Sequence, residues 1–237
     1  MKVEDYLDST YLKTAEQALI SEDQNKKIVE SLVNEAIKHG FKLVMIRPMY
    51  ISLANQLIKK SKSNVLVGTV IDFPFGDSST EEKIIQAKEV IELGVDDIDY
   101  VTDYNIYKQK RFEKFDKDIL EGTRIGYENK KTVKWIIETG ALSKEEIKGI
   151  TKRISKIVSD NFPDFCESVF VKTSTGYYGG FGATTKDVKL MNSVSGKLPI
   201  KASGGVSNFS EFKQMIEAGA TRVGTSNALK IFKKEQK

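Results

Sequence analysis

Short apolar runs alternate along the chain with segments whose apolar residues recur every three or four positions. Eight runs have strand character: Tyr6–Asp8, Lys42–Ile46, Val65–Phe73, Asp97–Val101, Thr132–Glu138, Ser168–Lys172, Pro199–Ala202 and Thr221–Gly224. Several are continuous rather than alternating, the pattern of strands buried on both faces. The first is the weakest, and its residues also suit a helical extension at the N-terminus. Between the runs, Ser21-x-x-Gln24, Ser79-x-x-Glu82 and Ser143-x-x-Glu146 read as capping boxes that open helices. Ile28, Leu32, Val33, Ala36 and Ile37 form one apolar stripe, and Ile147, Ile150, Ile154, Ile157 and Val158 form another. The helix opened at Ser79 stops at Gly94. A further helix begins at Thr184 or Thr185 and carries Val188, Met191 and Val194. The helix marked by Phe209, Phe212, Met215 and Ile216 stops at Gly219.

Strand and helix alternating through eight strands predict an α/β chain folded as a single (β/α)8 TIM barrel with an N-terminal helical extension. A doubly wound open sheet is the alternative, and the missing G-x-G-x-x-G after a first strand weighs against it. No Pro/Gly-rich linker divides the chain, so residues 1–237 are expected to form one domain.

Composition narrows the function classes. The chain has 237 residues, 40 % of them apolar and 30 % charged, with a formal net charge of +4. No stretch reaches the roughly 18 consecutive apolar residues that span a bilayer, and the first residues lack the apolar core of a signal peptide. The one cysteine, Cys166, excludes an internal disulfide framework and fits a reducing cytosol. Acids interleave with the lysines, even in the densest basic stretch, Lys108 to Lys114, so a solvated helix face is expected there rather than a nucleic-acid surface. The one histidine, His39, precedes Gly40 at an expected helix C-terminus, where a cation suits the dipole. So few soft ligands favour neither a zinc site nor a Ser-His-Asp triad, and no metal or cofactor is expected.

Function in a barrel sits at the C-terminal ends of the strands. Four ionisable residues lie in or close apolar strand runs: Asp99 in Asp97–Val101, Lys134 in Thr132–Glu138, Lys172 at the end of Ser168–Lys172, and Lys201 within Pro199–Ala202. Taken singly, such a lysine can snorkel, and the aspartate can serve a structural ion pair. Converging on one pocket, like charges would depress a lysine pKa while the aspartate offsets part of the excess. A neutral lysine is a nucleophilic amine suited to Schiff-base chemistry, which needs no metal.

Glycine-rich pieces follow the same strands: Thr173-Ser174-Thr175-Gly176, then Gly179-Gly180 and Gly182; Ser203-Gly204-Gly205; and Gly224-Thr225-Ser226. Glycines admit backbone N–H groups close to an anion, and the loops after strands seven and eight are the usual phosphate site of this fold.

At these residues the sequence resembles the deoxyribose-phosphate aldolase family, the class I, Schiff-base type, from end to end. The matching pieces are Leu7-Asp8-Ser9-Thr10-Tyr11-Leu12-Lys13, Val70–Gly76 with its Phe-Pro-x-Gly, Asp97-Ile98-Asp99, Lys134 with Glu138-Thr139, Val171–Gly176, Gly182-Ala183-Thr184, Lys201–Gly205 and Gly219–Ser226. The resemblance implies reversible cleavage of 2-deoxy-D-ribose 5-phosphate to acetaldehyde and D-glyceraldehyde 3-phosphate. It implies Lys172 as the imine-forming residue, Lys201 beside it lowering its pKa, Asp99 handling protons through a water, and Lys134 keeping Asp99 ionised and oriented. Asp8 and Thr173 would line the pocket, and Gly176, Gly204, Gly205, Ser207, Gly224, Thr225 and Ser226 would surround the phosphate. Partners would be small sugar phosphates and aldehydes, with no nucleic acid or membrane, in a cytoplasmic homodimer or larger homo-oligomer.

Some positions depart from the family pattern. Ser207 stands where arginine is common, Ser9 where histidine is common, Met45 where cysteine is common, and Arg47 and Asp103 where asparagine is common. The Tyr177–Phe181 loop is one residue longer than is usual in the family. These departures touch substrate identity more than reaction type, and leave open a Schiff-base aldolase for a different or unphosphorylated sugar or aldehyde. A non-catalytic barrel that only binds a sugar phosphate is the reading from another class; it predicts loss of the lysine or the aspartate, and both are present.

Overall fold

The computed structural model describes residues 2–235. Strands β1 (Leu7–Tyr11), β2 (Leu43–Ile46), β3 (Leu66–Ile71), β4 (Asp97–Val101), β5 (Thr132–Ile136), β6 (Val169–Lys172), β7 (Ile200–Ser203) and β8 (Ala220–Thr225) close in sequence order into a barrel. Every pair is parallel, and β8 returns to β1 with Asp8 opposite Gly224. The helices are α1 (Ala15–Ala18), α2 (Glu22–His39), α3 (Ile51–Ser61), α4 (Thr80–Glu92), α5 (Tyr104–Lys108), α6 (Phe112–Glu128), α7 (Lys144–Asn161), α8 (Thr185–Asn192), α9 (Phe209–Glu217) and α10 (Ala228–Glu235). The N-terminal helical extension is a single 3-10 turn, Val3–Tyr6, whose Val3 is fully buried. Tyr6 belongs to that turn, so the first strand starts one residue later than the sequence pattern suggests.

All three expected capping boxes form, at Ser21, Ser79 and Ser143, and Thr14 with Gln17 makes a fourth. Each gives an otherwise orphaned backbone N–H a partner at a helix start, worth about 1 kcal/mol. His39 occupies the last turn of α2 and lies against Phe41 and Phe232. Cys166 is buried and free. No helix among the described residues is long and apolar enough to cross a membrane.

Strand side chains alternate between two environments because successive Cβ atoms point to opposite faces. The outward set, including Val44, Ile46, Val67, Ile98, Tyr100, Val133, Trp135, Val171 and Ile200, joins the helices in one large apolar core. Burying each such side chain contributes roughly 1.5–3 kcal/mol. Trp135 is fully buried, stacks on Tyr100 at 4.7 Å, and donates its indole N–H to Thr123 of α6. Gly122 lets α6 approach: a Cβ there would lie 2.6 Å from the Trp135 ring.

The inward set divides in two. Leu12, Leu43, Met45 and Val70 fill the β1–β3 side with a small apolar cluster. Met45 occupies the space left by Gly68, where a Cβ would meet its methyl at 2.6 Å, so the methionine serves packing here. The remaining strands turn charge inward. Registers place Asp99 opposite Lys134, Lys172 opposite Lys201, and Lys201 opposite Arg222.

Candidate active site

Seven charged side chains converge inside the barrel. Lys172 and Lys201 each place Nζ 2.8 Å from the same oxygen, Asp99 Oδ2. Lys134 donates to the other, Oδ1, at 2.9 Å, and also to Asp97 Oδ2 at 2.6 Å. Lys201 has a second carboxylate, Asp8 Oδ2, at 2.6 Å. Arg222 Nε donates to Asp8 Oδ1 at 2.7 Å, and its Nη2 reaches Asp97 Oδ2 at 3.3 Å. None of these residues is more than 6 % exposed. The Phe170 ring lies beside Lys134 and Arg222, with 5.9 and 6.0 Å from the cations to its centroid.

Four cations therefore face three carboxylates. Burying charge is tolerable only when it is paired, and the excess falls on the amine with the fewest partners. Lys134 and Lys201 each contact two carboxylates; Lys172 contacts Asp99 alone. Burial lowers the Lys172 pKa to about 8, with the charges of Lys201 and Lys134 acting in the same direction and Asp99 opposing them. Burial acts against Lys134 too, but Asp97, Asp99 and Asp8 outweigh it and raise that amine. Burial would raise Asp99, yet Lys134, Lys172 and Lys201 hold it well below the usual carboxylate range.

Lys172 and Lys201 open into a cavity of about 330 Å³. Gly176, Gly204, Gly205, Ser207, Gly224, Thr225 and Ser226 all line it, together with Thr10–Lys13 from the end of β1. The β6–α8 and β7–α9 loops touch backbone to backbone here. A Cβ on Gly182 would strike the Gly204 carbonyl, and Gly204 itself takes a positive φ of 83°. Ala183 N–H donates to the carbonyls of both Ser203 and Gly204, which fixes the contact. Such a glycine-lined wall, which brings backbone close to the cavity, suits an anion.

Two expected pocket residues lie outside the cavity wall. Asp8 is fully buried and outside the cavity wall, where it anchors Lys201 and Arg222. Thr173 is fully buried as well, its hydroxyl donating to Ser203 O and accepting from Ser203 N, which bolts β6 to β7. Ser207 does reach the cavity, but its N–H and hydroxyl both donate to Glu211 Oε2, at 2.7 and 3.0 Å. Thr225 likewise lines the cavity while its hydroxyl ties β8 to Val206 O.

Asp97 and Arg222 join this charged cluster although the sequence reading does not assign them to the site. The signal was present: Asp97 is two residues from Asp99, and Arg222 two from Gly224, so each shares an inward face with an expected site residue. Arg47 and Asp103 hold loops at the mouth. Arg47 donates to Leu12 O and lies over the Phe73 ring, which meets Tyr177 edge-on at 5.1 Å; Asp103 caps α5 through Ile106 N–H. Among the described residues, no group of three or more His, Cys, Asp or Glu side chains is placed to hold a metal ion.

No family model matches the chain. Curated proteins do. The deoxyribose-phosphate aldolase of Staphylococcus saprophyticus is 42 % identical over 222 residues, covering 93 % of this chain and 94 % of the relative. Among solved structures, the aldolase QR15 superposes with a TM-score of 0.84 at 29 % identity, covering all of this chain and 96 % of that one. The tetrameric deoxyribose phosphate aldolase of Aeropyrum pernix shares the fold, with a TM-score of 0.80 at 24 % identity, covering 99 % of this chain and 91 % of that one. At that level of identity and coverage, the chain belongs to the deoxyribose-phosphate aldolase family.

Proposed function

We propose that this lyase reversibly cleaves 2-deoxy-D-ribose 5-phosphate to acetaldehyde and D-glyceraldehyde 3-phosphate through an imine on Lys172. The observation that carries the reading is the unequal sharing of carboxylates: Lys172, on the cavity, has one, while Lys201 and Lys134 have two each. An amine near 8 is neutral in a useful fraction at neutral pH. The neutral amine attacks C1 of the open-chain sugar, and loss of water leaves a protonated imine. The C3 hydroxyl gives up its proton, the C2–C3 bond breaks, and its electron pair moves to the iminium, leaving an enamine and releasing the phosphorylated aldehyde. Protonation of the enamine at C2 and hydrolysis then release acetaldehyde and regenerate the amine.

Asp99 stays ionised throughout, held low by the lysines around it. Its part in proton transfer is to orient a water at the reacting carbons, and Lys134 keeps the carboxylate in place. Lys201 stands beside Lys172, and its charge adds to the effect of burial in lowering the Lys172 pKa. The glycine-lined wall takes the phosphate through backbone amides. One observation favours a second reading, in which unphosphorylated sugars or other aldehydes are accepted nearly as well: Ser207, in place of a cationic side chain, spends both of its donors on Glu211. A cytoplasmic homo-oligomer belongs to the same proposal, by analogy with the tetrameric relative.

The test is turnover of deoxyribose 5-phosphate against deoxyribose, combined with borohydride reduction in the presence of acetaldehyde. The expected result is cleavage of the phosphorylated sugar and a two-carbon adduct on Lys172. An adduct on Lys201, or none, refutes the assignment.

A further inference from the structure

The end of β5 carries a buried carboxylate that the steps above leave unused. Glu138 adopts left-handed backbone, with φ at 57°. That region is costly for a residue with a Cβ, and such strain persists where surrounding contacts hold it in place. Only 2 % of the residue is exposed. Its Oε2 accepts the Thr175 N–H at 3.1 Å and also the Thr175 hydroxyl. Thr175 Oγ1 in turn accepts the Tyr177 N–H at 3.0 Å. The adjacent Thr139 donates its N–H to Thr173 O at 2.9 Å, and its hydroxyl lies 3.3 Å from that of Ser174. One corner of β5 thus holds each of the three residues that follow the nucleophile. Thr175, Gly176 and Tyr177 line the cavity; Glu138 does not, so its influence passes through them.

We propose that Glu138 is a positioning residue for phosphate recognition. By pinning Thr175 and, through it, the Tyr177 N–H, it fixes the turn at Gly176, whose φ is 82°, and so aims the backbone of that turn at the substrate's phosphate. Its Oε1 has no hydrogen-bond partner, so a single carboxylate oxygen does the holding, and an amide in its place keeps one acceptor for the Thr175 N–H. The proposal rests on a phosphorylated substrate, as inferred above.

The test compares wild type, Glu138→Gln, Glu138→Ala, Thr175→Ser and Thr175→Val on deoxyribose 5-phosphate and on deoxyribose, with inorganic phosphate as a competitive probe. Glu138→Ala should raise KM for the phosphorylated sugar and lower the phosphorylated-to-unphosphorylated ratio of kcat/KM at least tenfold. The inhibition constant for inorganic phosphate should rise in parallel. Thr175→Val should reproduce that fall, while Glu138→Gln and Thr175→Ser should recover most of the ratio. Equal fractional losses on both sugars, or phosphate inhibition that does not change, overturn the proposal. If Glu138→Ala does not fold, Thr175→Val against Thr175→Ser carries the same comparison. A wild-type enzyme that ignores deoxyribose 5-phosphate refutes the proposed substrate instead, and phosphate affinity, read by thermal shift across the same variants, then decides the role of Glu138.

Discussion

Replacing Lys201 with methionine removes one charge at nearly constant volume and leaves every carboxylate with a partner. Asp8 keeps Arg222, and Asp99 keeps Lys134 and Lys172. The four-to-three excess of cations then becomes three to three, and Lys172 loses the nearest charge that opposes its protonation. Both amines bind one oxygen at 2.8 Å, which keeps the nitrogens within twice that distance of each other, so roughly 5 Å is the scale of their repulsion. At an effective dielectric of about 20, two charges at that distance repel by about 3 kcal/mol, or about two pKa units. Lys172 should therefore move from about 8 to roughly 10. At pH 7.5 the neutral fraction falls from about a quarter to a few parts in a thousand, so kcat/KM should drop roughly a hundredfold. The assay is kcat/KM against pH. Wild type should rise to a plateau above about 8, the value of its amine, and Lys201→Met should recover much of its activity as the pH approaches 10. A Lys201→Met profile that keeps its rise near pH 8 at reduced height would show that this charge does not poise Lys172.

Other outcomes follow from the same geometry. Arg222→Leu leaves Asp8 with Lys201 alone and takes a donor from Asp97; breaking a buried pair in this way should cost about 3–5 kcal/mol, read from the urea midpoint at unchanged slope. Burial would raise Asp8, but Arg222, Lys201 and Lys134 hold it at about 2, below its ordinary 3.8. With a depressed folded pKa, its contribution to stability is complete above about pH 4 and is lost as the pH falls through 2; unfolding midpoints should decline across that window, less steeply in Asp8→Asn. Ser207→Arg alone should bring little gain in KM for the phosphorylated sugar, because Glu211 captures the new guanidinium, whereas Ser207→Arg with Glu211→Gln should lower KM about tenfold. Equal KM values for the single and double variants would show that Glu211 does not compete for residue 207.

The barrel was legible because the strands are short, mostly apolar runs broken by single buried charges, which sets them apart from the striped helices. β1 was least legible because its inner positions, Asp8 and Thr10, belong to the site and interrupt the apolar run. The apolar β5 run extends through Glu138 in the sequence, but the strand ends at Ile136; Ile137 is buried beyond it and carries the apolar signal into the turn. The lysines announced themselves as charges in strands that otherwise bury apolar side chains. Their partners did not, since Arg222 and Asp8 are 214 residues apart and meet only when β8 closes on β1. Nor could the pattern show which hydroxyls would be occupied. The hydroxyl donors of Ser207 and Thr173 are used up by neighbours that come from α9 and β7.

Trp135, the one tryptophan of the chain, sits on the strand of Lys134 but faces α6, away from the reacting amines. Its emission is consequently an unlabelled optical gauge of how β5 docks on its helix. Shielded from water in the folded protein, the indole should fluoresce toward the blue and shift red when the barrel opens. Because a substrate in the cavity does not touch the ring, a blue emission maximum in an inactive site variant would certify that the barrel is intact and that the loss lies in chemistry.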